Sequence, residues 1–142
     1  MLEVSQILRS AGLRVTSTRV ALFQAMLNQK PQDAQTLLKA LCKQRKGVHK
    51  TTIYRDLEVF LHVRLILAVQ FGDGLVRYEL AQQPHHHHLI CKGCGRVEDV
   101  QIAHKFERIE KNLVKKFHFT QVEHALEFYG KCTTCFSLPR NQ

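Results

Sequence analysis

Leu65-Ile66-Leu67-Ala68-Val69-Gln70-Phe71-Gly72-Asp73-Gly74-Leu75-Val76-Arg77-Tyr78-Glu79-Leu80 reads as two strands around a tight turn. Asp-Gly between two apolar runs is a strong hairpin signal, because the turn needs left-handed backbone that glycine adopts without penalty. What precedes the hairpin decides the fold. Val4, Ile7, Leu8 and Ala11 recur at helical spacing and stop at Gly12. Thr16-Ser17 offers a cap for a second helix whose apolar side is Val20, Phe23 and Leu27, with Ala21 and Met26. Asp33 caps a third helix with Leu37, Leu38, Leu41 and Cys42 inward, so Cys42 is expected in the core. A fourth starts near Lys50-Thr51 and carries Ile53, Leu57, Phe60 and Leu61. Helices two to four, followed by the hairpin, are the pattern of a winged helix-turn-helix.

The fourth helix turns Lys50, Thr51, Thr52, Tyr54, Arg55 and Glu58 away from its apolar stripe. Lys and Arg bind phosphates, while Thr and Tyr donate to phosphates or touch thymine methyl groups. The 142-residue chain has formal net charge +9 and a pI of about 9.6, a balance that favours a polyanionic partner. Residues 1–80 carry 12 Lys+Arg against 6 Asp+Glu, and residues 81–142 carry 9 against 6. Histidine runs the other way, two in the first part and seven in the second. The basic half and the histidine half are therefore separate modules, 1–81 and 82–142, meeting near Gln82-Gln83-Pro84.

The second module opens on His85-His86-His87-His88-Leu89-Ile90-Cys91-Lys92-Gly93-Cys94, and Cys132-Thr133-Thr134-Cys135 lies near its end. Thiolate and neutral imidazole bind zinc and other late first-row metals. Two Cys-x-x-Cys knuckles can close one tetrahedral site, and Gly93 and Gly95 ease the first turn. In an extended strand His86 and His88 face one way, His85 and His87 the other, so one run can feed two sites. Glu79, Asp99, Glu107, His104, His118 and His124 are further candidate ligands, among which spacing does not choose. Leu89-Ile90 and Val97–Val100 read as short strands, 103–117 as a helix striped by Phe106, Ile109, Leu113, Val114 and Phe117, and Val122–Tyr129 as a strand with Val122, His124, Leu126 and Phe128 on one face. After Cys135 the tail is expected to fray. The module is too small to stand without its metal.

Several segments, in order, resemble the ferric uptake regulator (Fur) family of metal-dependent bacterial repressors. They are Ala11-Gly12-Leu13-Arg14-Val15-Thr16 with Arg19, Thr52-Ile53-Tyr54-Arg55, Tyr78-Glu79-Leu80, the His85–Cys94 run, and His124 with Tyr129-Gly130-Lys131-Cys132 and Cys135. The resemblance implies an α+β chain: a winged helix-turn-helix DNA-binding domain, then a small α/β dimerisation domain with a four-cysteine zinc site. It implies a homodimer on double-stranded DNA with a palindromic operator. Cys91, Cys94, Cys132 and Cys135 would hold structural zinc. Glu79, His86, His88 and Asp99 would form a regulatory site at the hinge, and His85, His87, Glu107 and His124 a second site inside the dimerisation domain. Tyr54 and Arg55 would sit on the DNA-reading helix beside Lys50, Thr51 and Thr52, with Arg14 and Arg19 on the phosphate backbone.

Two departures bear on the metal. The family commonly has a histidine in the loop between the second and third helices, and Asn28-Gln29-Lys30-Pro31-Gln32 has none. The hinge site then either lacks a ligand or completes its shell with Asp99 or water. His87 stands where iron regulators frequently have aspartate, which enriches the second site in nitrogen and suits zinc, nickel or iron better than manganese. Zinc-sensing relatives often place cysteine near position 79, so Glu79 favours Fe(II), with Zn(II) and Ni(II) as alternatives. No apolar run approaches the roughly 18 residues of a membrane span, and Met1-Leu2-Glu3-Val4-Ser5 lacks signal-peptide order. A cytoplasmic repressor with reduced, metal-bound cysteines is expected. A zinc hydrolase is disfavoured because no HExxH-like helix is present and no small-molecule substrate is implied. A metal-storage protein would explain the histidines and not the basic half.

Overall fold

The computed structural model describes residues 2–27, 29–44, 47–81, 86–102, 106–122 and 124–137. It falls into two compact units, Met1–Gln83 and Pro84–Gln142.

Helix α1 (Leu2–Ser10) buries Val4 and Leu8. Gly12 ends it at φ +73°, where Leu13 N–H reaches back to the Leu8 carbonyl at 2.9 Å and Gly12 N–H to that of Arg9 at 2.9 Å. Helix α2 (Ser17–Met26) starts on Thr16, whose hydroxyl accepts from Arg19 N–H at 3.2 Å. Strand β1 (Gln32–Asp33) leads into helix α3 (Ala34–Gln44). Asp33 caps α3 by accepting from the Gln35 and Thr36 amides at 2.8 and 2.9 Å, and from the Thr36 hydroxyl at 2.7 Å. Burial pushes the Asp33 carboxyl up, but these bonds outweigh it and hold the group below its usual value.

Helix α4 (Lys50–His62) packs on these helices through Ile53, Leu57 and Phe60, all at most 1% exposed. Phe23 meets Phe60 edge-on at 6.1 Å. Strands β2 (Ile66–Gln70) and β3 (Val76–Leu80) pair antiparallel from Ile66↔Leu80 to Gln70↔Val76. At the tip, Asp73 accepts from both Arg77 amino groups at 2.9 and 2.6 Å and from Leu75 N–H at 3.1 Å, which pulls its carboxyl down to about 2. The Arg77 guanidinium lies 5.0 Å over the Phe71 ring. The first unit is thus a winged helix-turn-helix, with one addition to the expected strand pair: β1 joins through Gln32↔Tyr78 and Asp33↔Arg77, giving the order β1-β3-β2.

Cys42 is exposed, not core. The stripe that α3 buries is Ala34, Leu37 and Leu41, and half-buried Leu38 marks its edge. One residue past Leu41, Cys42 has turned about 100° out of that stripe.

In the second unit, β4 (His87–Cys91) is central, with β5 (Val97–Val100) antiparallel on one side and β6 (Glu127–Gly130) parallel on the other. Helix α5 (Phe106–Phe117) crosses between β5 and β6, and a short α6 (Thr133–Ser137) follows. Helical structure thus continues two residues past Cys135, to Ser137, and the rest of the tail expected to fray, 138–142, falls outside the described residues. The strand expected over Val122–Tyr129 begins only at Glu127. The register explains why: β6 starts opposite His88 and β4 starts at His87, so Val122, His124 and Ala125 have no described strand to pair with. None of α5 is buried within the chain, and Ile109, Leu113 and Phe117 are 50%, 39% and 53% exposed. Among the described residues, no helix is long and apolar enough to cross a membrane.

Candidate metal centres and nucleic-acid interface

The four cysteines come together because β4 and β6 end side by side. Cys91 N–H donates to the Arg96 carbonyl at 2.9 Å, which folds the first knuckle back, and Lys92 N–H donates to the Gly130 carbonyl at 2.7 Å, which ties it to the second. All four Sγ atoms lie within 4.8 Å of one another, and Cys94 and Cys132 are 3.9 Å apart. A tetrahedron with zinc–sulfur bonds near 2.3 Å has sulfur–sulfur edges of about 3.8 Å, so the cluster fits a zinc ion. Gly93 is sterically required: a Cβ there would lie 2.6 Å from Cys135 Cβ and 2.8 Å from its Sγ.

The cluster is electrostatically uneven. The amides of Cys132, Cys94 and Gly93 converge on Cys91 and pull its thiol down to about 6, whereas hydrogen bonds with the Cys132 and Cys94 sulfurs push Cys135 up to about 12. One sulfur is thus a ready thiolate, and the other keeps a proton that an incoming metal must displace.

The histidine run alternates as extended backbone requires. His86 and His88 are on one side, rings 4.9 Å apart. His88 Nε2 lies 4.0 Å from Asp99 Oδ1, its cross-strand neighbour. That is too far for a hydrogen bond, yet two ligands each about 2.1 Å from an ion could bridge it. Glu79 is a buried carboxylate on β3 of the first unit. His87 faces the other way and is buried, with Nδ1 3.1 Å from the Leu126 carbonyl. The His124 ring lies 5.4 Å from that of His87 and 4.6 Å from Phe106.

Glu107, the carboxylate expected beside His124, is exposed, and no group of three ligands within 4.8 Å includes it among the described residues. Glu110, which sequence reasoning did not single out, lies 2.7 Å from His124 Nδ1. His85 and His104 fall outside the described residues.

On α4, Lys50, Thr51, Tyr54, Arg55 and Glu58 are exposed and Thr52 is half-buried, with the Lys50 ammonium 5.4 Å over the Tyr54 ring. Arg14 is exposed. Arg19 is committed inward: its Nε donates to Asp56 Oδ1 at 3.0 Å and its Nη1 to the Arg14 carbonyl at 3.1 Å, bracing α2 against α4. Asp56, 4% exposed, also escaped sequence reasoning, because a lone aspartate on an apolar face announces no partner 37 residues away.

The ferric uptake regulator family model matches residues 10–129. A ferric uptake regulation protein of Legionella pneumophila is 35% identical over 136 residues, covering 94% of this chain and 99% of that one. The crystal structure of the Vibrio cholerae ferric uptake regulator superposes with a TM-score of 0.71 at 31% identity, over 90% of this chain and 98% of its own. A zinc uptake regulator solved with zinc and DNA has a TM-score of 0.68 at 26% identity, over 95% and 91%. The fold therefore has its counterpart in solved relatives along nearly its whole length, and the chain belongs to the ferric uptake regulator family, as a metal-responsive transcriptional regulator and not an enzyme.

Proposed function

We propose that this chain is a cytoplasmic, Fe(II)-responsive repressor of metal-uptake genes that binds a palindromic operator as a homodimer. The observation that carries the metal assignment is the separation of donor types. Four of the five cysteines sit in one four-thiolate cluster, and Cys42 lies apart on α3. The regulatory set of Glu79, His86, His88 and Asp99 offers only oxygen and nitrogen, a mixture of the kind that accepts Fe(II). The nitrogen-rich set around His87 and His124 favours a second reading, a Zn(II)- or Ni(II)-responsive regulator of the same family.

The exposed face of α4 supports DNA reading, with Tyr54 and Arg55 on base edges and Lys50, Thr51, Thr52 and Arg14 on phosphates. A relative of the same fold was solved with DNA. The homodimer is supported by the apolar side of α5 and by Leu89 and Phe128, register neighbours on β4 and β6, which are 42% and 37% exposed.

Glu79 lies in the 1–81 DNA-binding domain, and His86, His88 and Asp99 lie in the 82–142 dimerisation domain. Together they would hold one divalent ion across the hinge at residues 81–84. The two domains would then be held in the arrangement that spaces two recognition helices for a palindrome. Without the shared ligation that arrangement is one of many, and operator binding bears the ordering cost. The test is a DNA-binding assay on chelator-treated protein, reconstituted with zinc at the cysteines and then given each divalent metal. Fe(II) restoring tight binding at the lowest free concentration supports the reading. Restoration by Zn(II) or Ni(II) at far lower free concentration replaces it with the second.

A further inference from the structure

The inner histidine set carries a consequence that depends on which atoms can donate. A carboxylate and a backbone carbonyl only accept hydrogen bonds. Leu126 O, 3.1 Å from His87 Nδ1, and Glu110 Oε1, 2.7 Å from His124 Nδ1, therefore both require the proton on Nδ1. In a neutral imidazole so fixed, Nε2 holds the lone pair. Two imidazoles bound through Nε2 to one tetrahedral ion, at metal–nitrogen distances near 2.05 Å, have ring centroids about 5.2 Å apart. The rings of His87 and His124 are 5.4 Å apart. The centroid spacing thus matches that of two imidazoles on one ion, and each Nδ1 is engaged by an acceptor.

We propose that Glu110, one turn along α5 from Glu107, is the positioning residue of the inner metal site, holding the His124 ring with Nδ1 protonated and Nε2 presented to the ion. This rests on the reading of His85, His87, Glu107 and His124 as a metal site. Glu110 and Glu107 line the same open groove beside Val122; on that reading α5 would supply one carboxylate as a ligand and a second as the support of a ligand. Glu110 and His124 are both about three-quarters buried, at 24% and 22% exposed, so the bond between them is partly sheltered from water. Loss of such a supporting partner typically weakens metal binding roughly 10- to 100-fold without removing the site.

The experiment uses full-length protein in a His86→Ala background, with zinc retained at the cysteines, and Zn(II) as the probe. Affinity is measured by chelator competition, stoichiometry by metal analysis, and the His124 tautomer by long-range nitrogen–proton NMR before the probe is added. Glu110→Gln should weaken binding roughly 10- to 100-fold, keep the stoichiometry, and shift His124 away from a pure Nδ1–H tautomer. His124→Ala should abolish the extra ion. Glu110→Gln with affinity unchanged and the tautomer retained overturns the proposal. So does Glu110→Gln losing the ion as completely as His124→Ala, which would make Glu110 a ligand. A parent protein that takes no ion beyond the cysteine-bound zinc fails the inner-site reading itself and the proposal with it. The parent binding normally while Glu110→Gln has no effect fails only the role of Glu110.

Discussion

Replacing Gly93 by alanine should break the four-cysteine centre through one methyl group. The added carbon would sit 2.6 Å from Cys135 Cβ. Carbon–carbon contacts are comfortable at about 3.5–4.0 Å, so Cys135 must retreat by about 1 Å. Metal–ligand distances tolerate only about ±0.2 Å. The Cys135 sulfur therefore leaves the tetrahedron and three thiolates remain. Structural zinc contributes roughly 10–16 kcal/mol in zinc-finger peptides. One ligand in four is then about 2.5–4 kcal/mol, on the order of 100- to 1,000-fold in zinc affinity. Gly95→Ala is the control. Gly95 has φ +72° with no atom within 4 Å of an added Cβ, so its alanine meets backbone strain and no clash. The assay is zinc retention against increasing chelator, with thermal unfolding alongside. Gly93→Ala should release zinc at far lower chelator, and Gly95→Ala should lose some stability with zinc affinity near normal. A Gly93→Ala protein that holds zinc as tightly as the parent refutes the steric argument.

Asp56→Ala strands the Arg19 guanidinium against α2 and should destabilise the first unit by about 2–4 kcal/mol in urea unfolding; a change below about 0.5 kcal/mol would show that the brace carries no weight. Zinc binding to the metal-free cluster should release protons between pH 6 and 8. With Cys91 pulled down to about 6, that thiol is already ionised over most of the window, while Cys135, pushed up to about 12, must give up its proton to the metal. Apparent affinity should accordingly rise with pH, and calorimetry in buffers of different ionisation enthalpy reads the release directly; buffer-independent heats would contradict it. Phe117→Glu, which places a charge on the exposed apolar face of α5, should shift the protein toward monomer in sedimentation experiments; an undisturbed dimer would move the interface elsewhere.

Local chemistry was the legible part of this chain. The Gly72-Asp73-Gly74 turn, the Thr16 and Asp33 caps and the Gly12 stop all act within a few residues of themselves, and each forms as its residues dictate. Alternation along the histidine run was legible for the same reason. What failed depended on distant partners. Val122, His124 and Leu126 alternate like a strand, but pairing needs a neighbour, and β4 offers none before His87. Cys42 lies one position beyond the end of its stripe, where periodicity alone cannot tell edge from core. The inward bond of Arg19 was invisible because Asp56 arrives from another helix. The contact of Glu110 with His124 joins residues 14 apart, and no local spacing announces it.

Operator binding by His86→Ala and His124→Ala proteins, titrated with Fe(II) after zinc has been restored to the cysteines, tests most directly whether the hinge ligands are the sensor. The account predicts that His86→Ala keeps its structural zinc and dimerises yet binds operator weakly at every metal concentration, while His124→Ala still responds to metal with a looser dimer. A normal metal response in His86→Ala, together with its loss in His124→Ala, would contradict the account and move sensing to the inner site.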